Sequence, residues 1–236
     1  FHDDLTGTSI PRAYEFSWND ELLSLKQFSG ILTHAVKSVA NNLDTQVKGV
    51  PIVFYNASGF ETTDIVSIEI EAPHFPKEVT VYDEQGKKVN SQLVSYTDGN
   101  VQLLVEATVP AVGYVVYDVR LAGSEKEMAI TEATNIENSF YKLMLDENGD
   151  IVSLFDKKNN KELVKAGKAI RLALFTENES LSWPAWEVLK KTIDRTPISI
   201  TSNVKMTLCE NGELRKTLCV EKSYGGSFFR QYIHLY

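Results

Sequence analysis

The segment Phe1-His2-Asp3-Asp4-Leu5-Thr6-Gly7-Thr8 sets an imidazole beside two carboxylates, a donor set suited to a divalent metal. A neutral histidine nitrogen binds zinc, carboxylate oxygens can add to the shell, and the Thr6 and Thr8 hydroxyls can orient those carboxylates. Zinc takes about four ligands, and this stretch alone supplies fewer. Other chemistry-bearing patterns fail. A phosphate loop would need glycine where Glu162 stands and Ser or Thr where Ala169 follows Gly167-Lys168. Ser58-Gly59 lacks the earlier glycine of a nucleophile elbow, and neither His-Glu-x-x-His nor Cys-x-x-Cys occurs. His34, His74 and His234 read as surface or packing residues. Asn56-Ala57-Ser58 and Asn178-Glu179-Ser180 match the glycosylation sequon, and without a secretory signal both read as chance matches in turn-rich sequence. Trp183 and Trp186 could offer platforms to a sugar ring, although buried sandwich aromatics are the simpler account.

Elements must position that segment, and composition bounds them. The chain has 236 residues, 43% of them apolar and 24% charged, which is ordinary for a globular protein. Lys+Arg 24 against Asp+Glu 32 leaves a net charge of −8, so no nucleic acid is expected as partner. No apolar run nears the ~20 residues of a bilayer span, so no membrane partner is expected either. Trp18, Leu22, Leu25, Leu32, Val36, Val39 and Leu43 recur at steps of three and four, with Phe28, Ile31 and Ala35 widening the stripe. This predicts an amphipathic helix up to about residue 46, starting at a capping-box-like Ser17 and Asp20. One helix cannot bury its own stripe, and no partner helix comes after it, so its partners are expected upstream.

From about residue 48 the period becomes two. Runs 50–55, 65–70, 78–82, 92–96, 101–108 and 114–121 read as strands joined by turn chemistry at 56–59, Gln85-Gly86 and Asp98-Gly99. They predict a small antiparallel sandwich, followed by a polar linker at 122–127. A second β region begins near Asn138. There Leu143 and Leu145 are expected to oppose Leu154 and Val152 across Asn148-Gly149. Asn211-Gly212 predicts a type I′ hairpin that sets Cys209 opposite Leu214 and Cys219 opposite Val204. The two sulfurs would then lie roughly 17 Å apart on opposite faces, ruling out a disulfide or a zinc pair. The start without Met and the uncapped apolar run 228–236 are read as signs of an excised middle piece of a longer protein. Free thiols and acidic balance lean towards a bacterial cytoplasm.

The opening segment through Ser9, leading into Tyr14-Glu15-Phe16 and Ser17-Trp18-Asn19-Asp20-Glu21-Leu22-Leu23, resembles the glycoside hydrolase family 38 α-mannosidases. The family motif there is an aromatic or His, then His-Asp, one variable residue, an aliphatic and Thr-Gly-Thr. Val53-Phe54-Tyr55-Asn56 through Thr63-Asp64-Ile65-Val66 resembles the start of the family's first β-sandwich. Glu137-Asn138 through Asp146-Glu147-Asn148-Gly149 to Phe155-Asp156-Lys157-Lys158 resembles the hairpin opening its large C-terminal β domain, and Pro184-Ala185-Trp186-Glu187 is similar to bacterial members.

The resemblance implies a mainly β chain with an N-terminal helical segment. Residues 1–46 would belong to a middle helix-bundle domain, 47–124 to a small β-sandwich, and 125–236 to the first part of a larger, galactose-mutarotase-like β-sandwich. His2 would be a zinc ligand and Asp3 a contact to the mannose hydroxyls, whereas Asp4 falls at the variable position and Phe1 stands where many eukaryotic members have His. In the family, zinc holds the vicinal hydroxyls of mannose while an Asp nucleophile forms a glycosyl-enzyme, the retaining scheme. A retaining pair needs carboxyl groups about 5–5.5 Å apart across the bond, which adjacent Asp3 and Asp4 on one loop cannot provide. No catalytic residue is therefore assigned to this chain. Nucleophile, general acid and further ligands are expected on an upstream catalytic α/β domain of the same protein, and the isolated piece is expected to be inactive. The substrate would be a mannose-containing oligosaccharide. The alternative is a non-catalytic carbohydrate-binding β module using Trp183 and Trp186.

Overall fold

Proline fits the first turn of a helix, where its missing N–H costs nothing. In the computed structural model the first helix, α1 (Pro11–Ala40, 30 residues), begins there, with Ile10 extended as its N-cap. The structure describes residues 7, 9–123, 131–175, 178–184 and 186–236. They fall into two compact units, one drawn from 1–45 and 173–198 and the other from 46–172 and 199–236. The start of α1 corrects the expected cap: Ser17 is interior, and its hydroxyl donates to Glu21 Oε1 at 3.2 Å. The apolar stripe is present, but no residue of α1 is buried, and Trp18, Leu22, Leu25 and Phe28 are 59–70% exposed. No described helix is long and apolar enough to cross a membrane.

The second unit is β throughout. Its first part comprises β1 (Val50–Asn56), β2 (Thr62–Glu71), β3 (Glu78–Tyr82), β4 (Lys88–Val89), β5 (Ser91–Thr97), β6 (Asn100–Val109) and β7 (Gly113–Ala122). All six predicted runs lie within these strands. The strands form antiparallel sheets ordered β1-β7-β3-β4 and β2-β6-β5. Alternate residues from both sheets, including Phe54, Val81, Tyr117 and Val119 from one and Ile70, Leu103, Val105 and Ala107 from the other, build one core. Asp98 (φ 53°) and Gly99 (φ 82°) both adopt the left-handed conformation that a type I′ turn requires between β5 and β6. At the entry, the Gly49 N–H donates to Asp118 Oδ1 at 2.8 Å, and an added Cβ there would lie 2.2 Å from the Val119 carbonyl.

The expected linker at 122–127 lies largely outside the described residues. Beyond it come β8 (Thr131–Glu132), β9 (Asn135–Glu137), β10 (Tyr141–Leu145), β11 (Ile151–Asp156), β12 (Lys161–Glu162), β13 (Ala173–Leu174), α2 (Lys190–Ile193), β14 (Ile198–Ser199), β15 (Ser202–Asn211), β16 (Lys216–Tyr224) and β17 (Ser227–Leu235). Sheets β12-β11-β10-β9 and β17-β16-β15-β8 share a core of Ile136, Leu143, Leu145, Leu218, Val220 and Leu235. The molecule is thus mainly β with an N-terminal helix, as the sequence implied.

Two registers differ from expectation. Leu143 opposes Leu154 as predicted, but a bulge after Met144 sets Leu145 against Ile151 rather than Val152. The cause is a wider turn, in which Asp146 Oδ1 accepts the Asn148 and Asp150 N–H groups at 2.9 Å each. At the second hairpin Asn211 pairs with Lys216, so the turn spans 212–215 and a bulge follows Leu208. Cys219 consequently opposes Thr207, and Cys209 Sγ lies 3.6 Å from Thr207 Oγ1. The predicted 17 Å separation on opposite faces is wrong: the cysteines are neighbours, both free thiols. Burial, and next the Cys209 thiol, push Cys219 up to about 11.

That wider turn reaches the first sandwich. Leu214 is buried with Val94 and Leu104, with Ile65 packed against them. Gln92, itself buried, accepts through Oε1 from the N–H groups of Leu214 (3.1 Å) and Arg215 (2.9 Å) and donates through Nε2 to the Arg215 carbonyl (2.9 Å).

Candidate functional site

Both predicted site residues, His2 and Asp3, lie outside the described residues, as do Asp4 and Phe1. The chain just after that segment is ordered locally by α1. The Ser9 N–H donates to the Tyr14 hydroxyl at 2.9 Å, the Tyr14 and Trp18 rings lie 6.0 Å apart, and Arg12 covers Phe16 at 6.0 Å. These contacts tie the approach to the segment to the first turns of a helix. Gly7 has φ +74° with open space around its Cβ position, a backbone conformation that suits the glycine of Thr-Gly-Thr. Among the described residues no group of three or more His, Cys, Asp or Glu side chains is placed to hold a metal ion. The described donors therefore make no zinc shell, and His2 and Asp3 alone would leave one incomplete.

The tryptophan loop belongs to the same unit and is exposed rather than buried, contrary to the simpler expectation. The Trp183 and Trp186 rings stack at 5.2 Å and 25°, and they are 56% and 62% exposed. A polar frame holds them. Asn178 Nδ2 donates to the carbonyls of Pro184 (3.3 Å) and Glu187 (2.5 Å), while its Oδ1 accepts from the Leu189 N–H at 3.2 Å. Ser180 donates to Glu187 Oε1 at 2.6 Å and accepts from the Trp183 N–H at 3.1 Å. Beside this frame, hydrogen bonds from Lys191 and then Arg195 hold the Glu179 carboxyl down to about 2. Pairs of this kind on an open surface add little stability. The sequon at Asn178 is thus engaged in the loop's own framework. The Asn56 amide likewise donates to the Phe60 and Val109 carbonyls at 2.8 and 3.1 Å.

Residues 136–236, which run from the end of β9 through β17 and supply the core of the second sandwich, match the model of the glycosyl hydrolases family 38 C-terminal domain. The chain is 24% identical over 253 residues to Alpha-mannosidase G of Dictyostelium discoideum, in an alignment covering 91% of this chain and 22% of that protein. It thus spans about a fifth of the curated relative it matches. An α-mannosidase from Enterococcus faecalis V583 has a solved structure that aligns with a TM-score of 0.48 at 18% identity, covering 80% of this chain and 25% of that one.

In the second sandwich, sequence reasoning missed a fully buried ion pair. Lys222 Nζ donates to Asp150 Oδ1 at 2.6 Å, and the two side chains are 1% and 5% exposed. Strand parity signals it, because Lys222 shares the core face of Leu218 and Val220. Gln92 was missed as well, since nothing in its own strand points to a partner more than a hundred residues away.

Proposed function

We propose that this chain is the helix-plus-sandwich portion of a zinc-dependent retaining α-mannosidase that removes terminal α-linked mannose from oligosaccharides. The family 38 match over 136–236 carries the reading, and the similarity to Alpha-mannosidase G across 91% of the chain supports it. In this reading residues 1–46 belong to a helix bundle, and the exposed stripe of α1 packs on helices outside the described residues. His2 offers an imidazole nitrogen to zinc, and the Asp3 carboxylate accepts hydrogen bonds from mannose hydroxyls. Zinc, when bound, would grip vicinal sugar hydroxyls as a Lewis acid. The nucleophile, the general acid and the other ligands come from an upstream α/β domain, so the chain alone is inactive. Acidic composition and two unpaired cysteines support a bacterial cytoplasmic setting. The test is made in the longer enzyme: His2→Ala is expected to abolish mannosidase activity and lower bound zinc, whereas Asp4→Ala changes both little. Full activity and full zinc occupancy in His2→Ala would overturn the assignment.

A second reading rests on the exposed Trp183–Trp186 stack. Rigidly held aromatic faces suit the apolar face of a pyranose ring, and the loop's internal hydrogen bonds remove much of the ordering cost of binding. As a carbohydrate-binding module the chain would bind mannosides unaided. Calorimetry with mannobiose would show heat that Trp186→Ala abolishes, and no heat with the unaltered chain would remove this reading.

A further inference from the structure

We propose that Gln92 couples the two sandwiches of the second unit into one cooperative folding unit by acting as the missing hydrogen-bond partner of the 212–215 turn. A hairpin turn of this width closes one bond of its own, the Gly212 N–H to the Arg215 carbonyl at 3.1 Å. The Leu214 and Arg215 N–H groups then point away from the hairpin, and both are taken by one amide oxygen of a residue more than a hundred positions earlier. Its amide nitrogen returns a bond to the Arg215 carbonyl and lies 3.5 Å from Glu210 Oε2.

The charged neighbours leave the turn little freedom to look elsewhere. Arg215 donates to both Glu210 oxygens at 2.8 and 2.9 Å, with both side chains largely shielded. Leu214 meanwhile fills the patch formed by Val94, Leu104 and Ile65. Either sandwich alone would therefore leave something unsatisfied: the second would expose Leu214 and two N–H groups, and the first would expose the apolar patch and a buried amide. Glycine at 212 makes the approach possible. A Cβ there would lie 1.9 Å from Gln92 Oε1, and the three nearest atoms all belong to Gln92.

Hydrogen exchange of the whole chain across a urea series reads the coupling directly. In the unaltered protein, the slowest amides of β6 and β16 are expected to open at one common midpoint. In Gln92→Ala, both strands lose protection by about tenfold or more and their midpoints separate. Gly212→Ala does the same through steric exclusion, yet adds almost nothing in the Gln92→Ala background, because the three atoms its Cβ would meet most closely are gone. Should Gln92→Ala not fold, Gln92→Asn, which withdraws the amide by one methylene, serves with the same expected separation. Separate midpoints in the unaltered chain would overturn the proposal. So would loss of protection confined to 212–215, or full additivity of Gly212→Ala with Gln92→Ala.

Discussion

Asp118 shows how one side chain carries a pH dependence. Burial pushes its carboxyl up, but the Arg120 guanidinium, at 2.6 and 2.8 Å, and the Gly49 N–H bring it below the ordinary 3.8. Arg120 is itself steadied over the Tyr82 ring at 4.1 Å. A folded value below the unfolded one means the unfolded chain binds the proton more tightly. The stabilisation is therefore complete above the ordinary carboxylate value and disappears as pH falls through the folded value. Urea midpoints between pH 7 and 2.5 are expected to fall less steeply below about pH 4 in Asp118→Asn than in the unaltered chain. An identical acid limb would show that this cluster carries no such coupling. Residue identity showed where charge could sit, but not that Asp118, Asp150 and Lys222 would be buried.

At the scale of elements, period and turn chemistry located the strands, whereas turn width set their register. Asp98-Gly99 formed the tight turn its residues favour. Asn148-Gly149 and Asn211-Gly212 did not, because bonds from outside the bare dipeptide widened both turns: the Asp146 side chain in one, Gln92 in the other. Gly149 remains indispensable for a different reason. Its φ is +69°, and an added Cβ would lie 2.5 Å from Val220 Cγ1 and 3.3 Å from Lys222 Cε. Gly149→Ala is expected to destabilise the second sandwich by about 2 kcal/mol or more, through a strained backbone and an overfilled contact with β16. Chemical denaturation gives this as a lowered midpoint. A change within about 0.5 kcal/mol would mean the turn shifts freely away from β16. The helix start is the complementary case: a plausible cap at Ser17 lost to Pro11, whose ring is already set to the helical φ.

For the whole molecule, the resemblance to family 38, the mainly β class and the order of the strands were legible because they rest on local facts. These are alternation of apolar residues, turn residues between them, and motifs that stay together along the chain. The stripe of α1 was legible too, and among the described residues it stands exposed. What only the tertiary structure decided are relations between distant positions. Gln92 meets a turn more than a hundred residues later, Cys209 and Cys219 come together through a bulge, Lys222 reaches Asp150 from another sheet, and the Trp183–Trp186 pair stands exposed on an internally bonded loop. Local pattern specifies which face of a strand is apolar. The three-dimensional packing specifies which polar group finds its partner there, since that depends on one-residue shifts that leave the hydrophobic pattern almost unchanged.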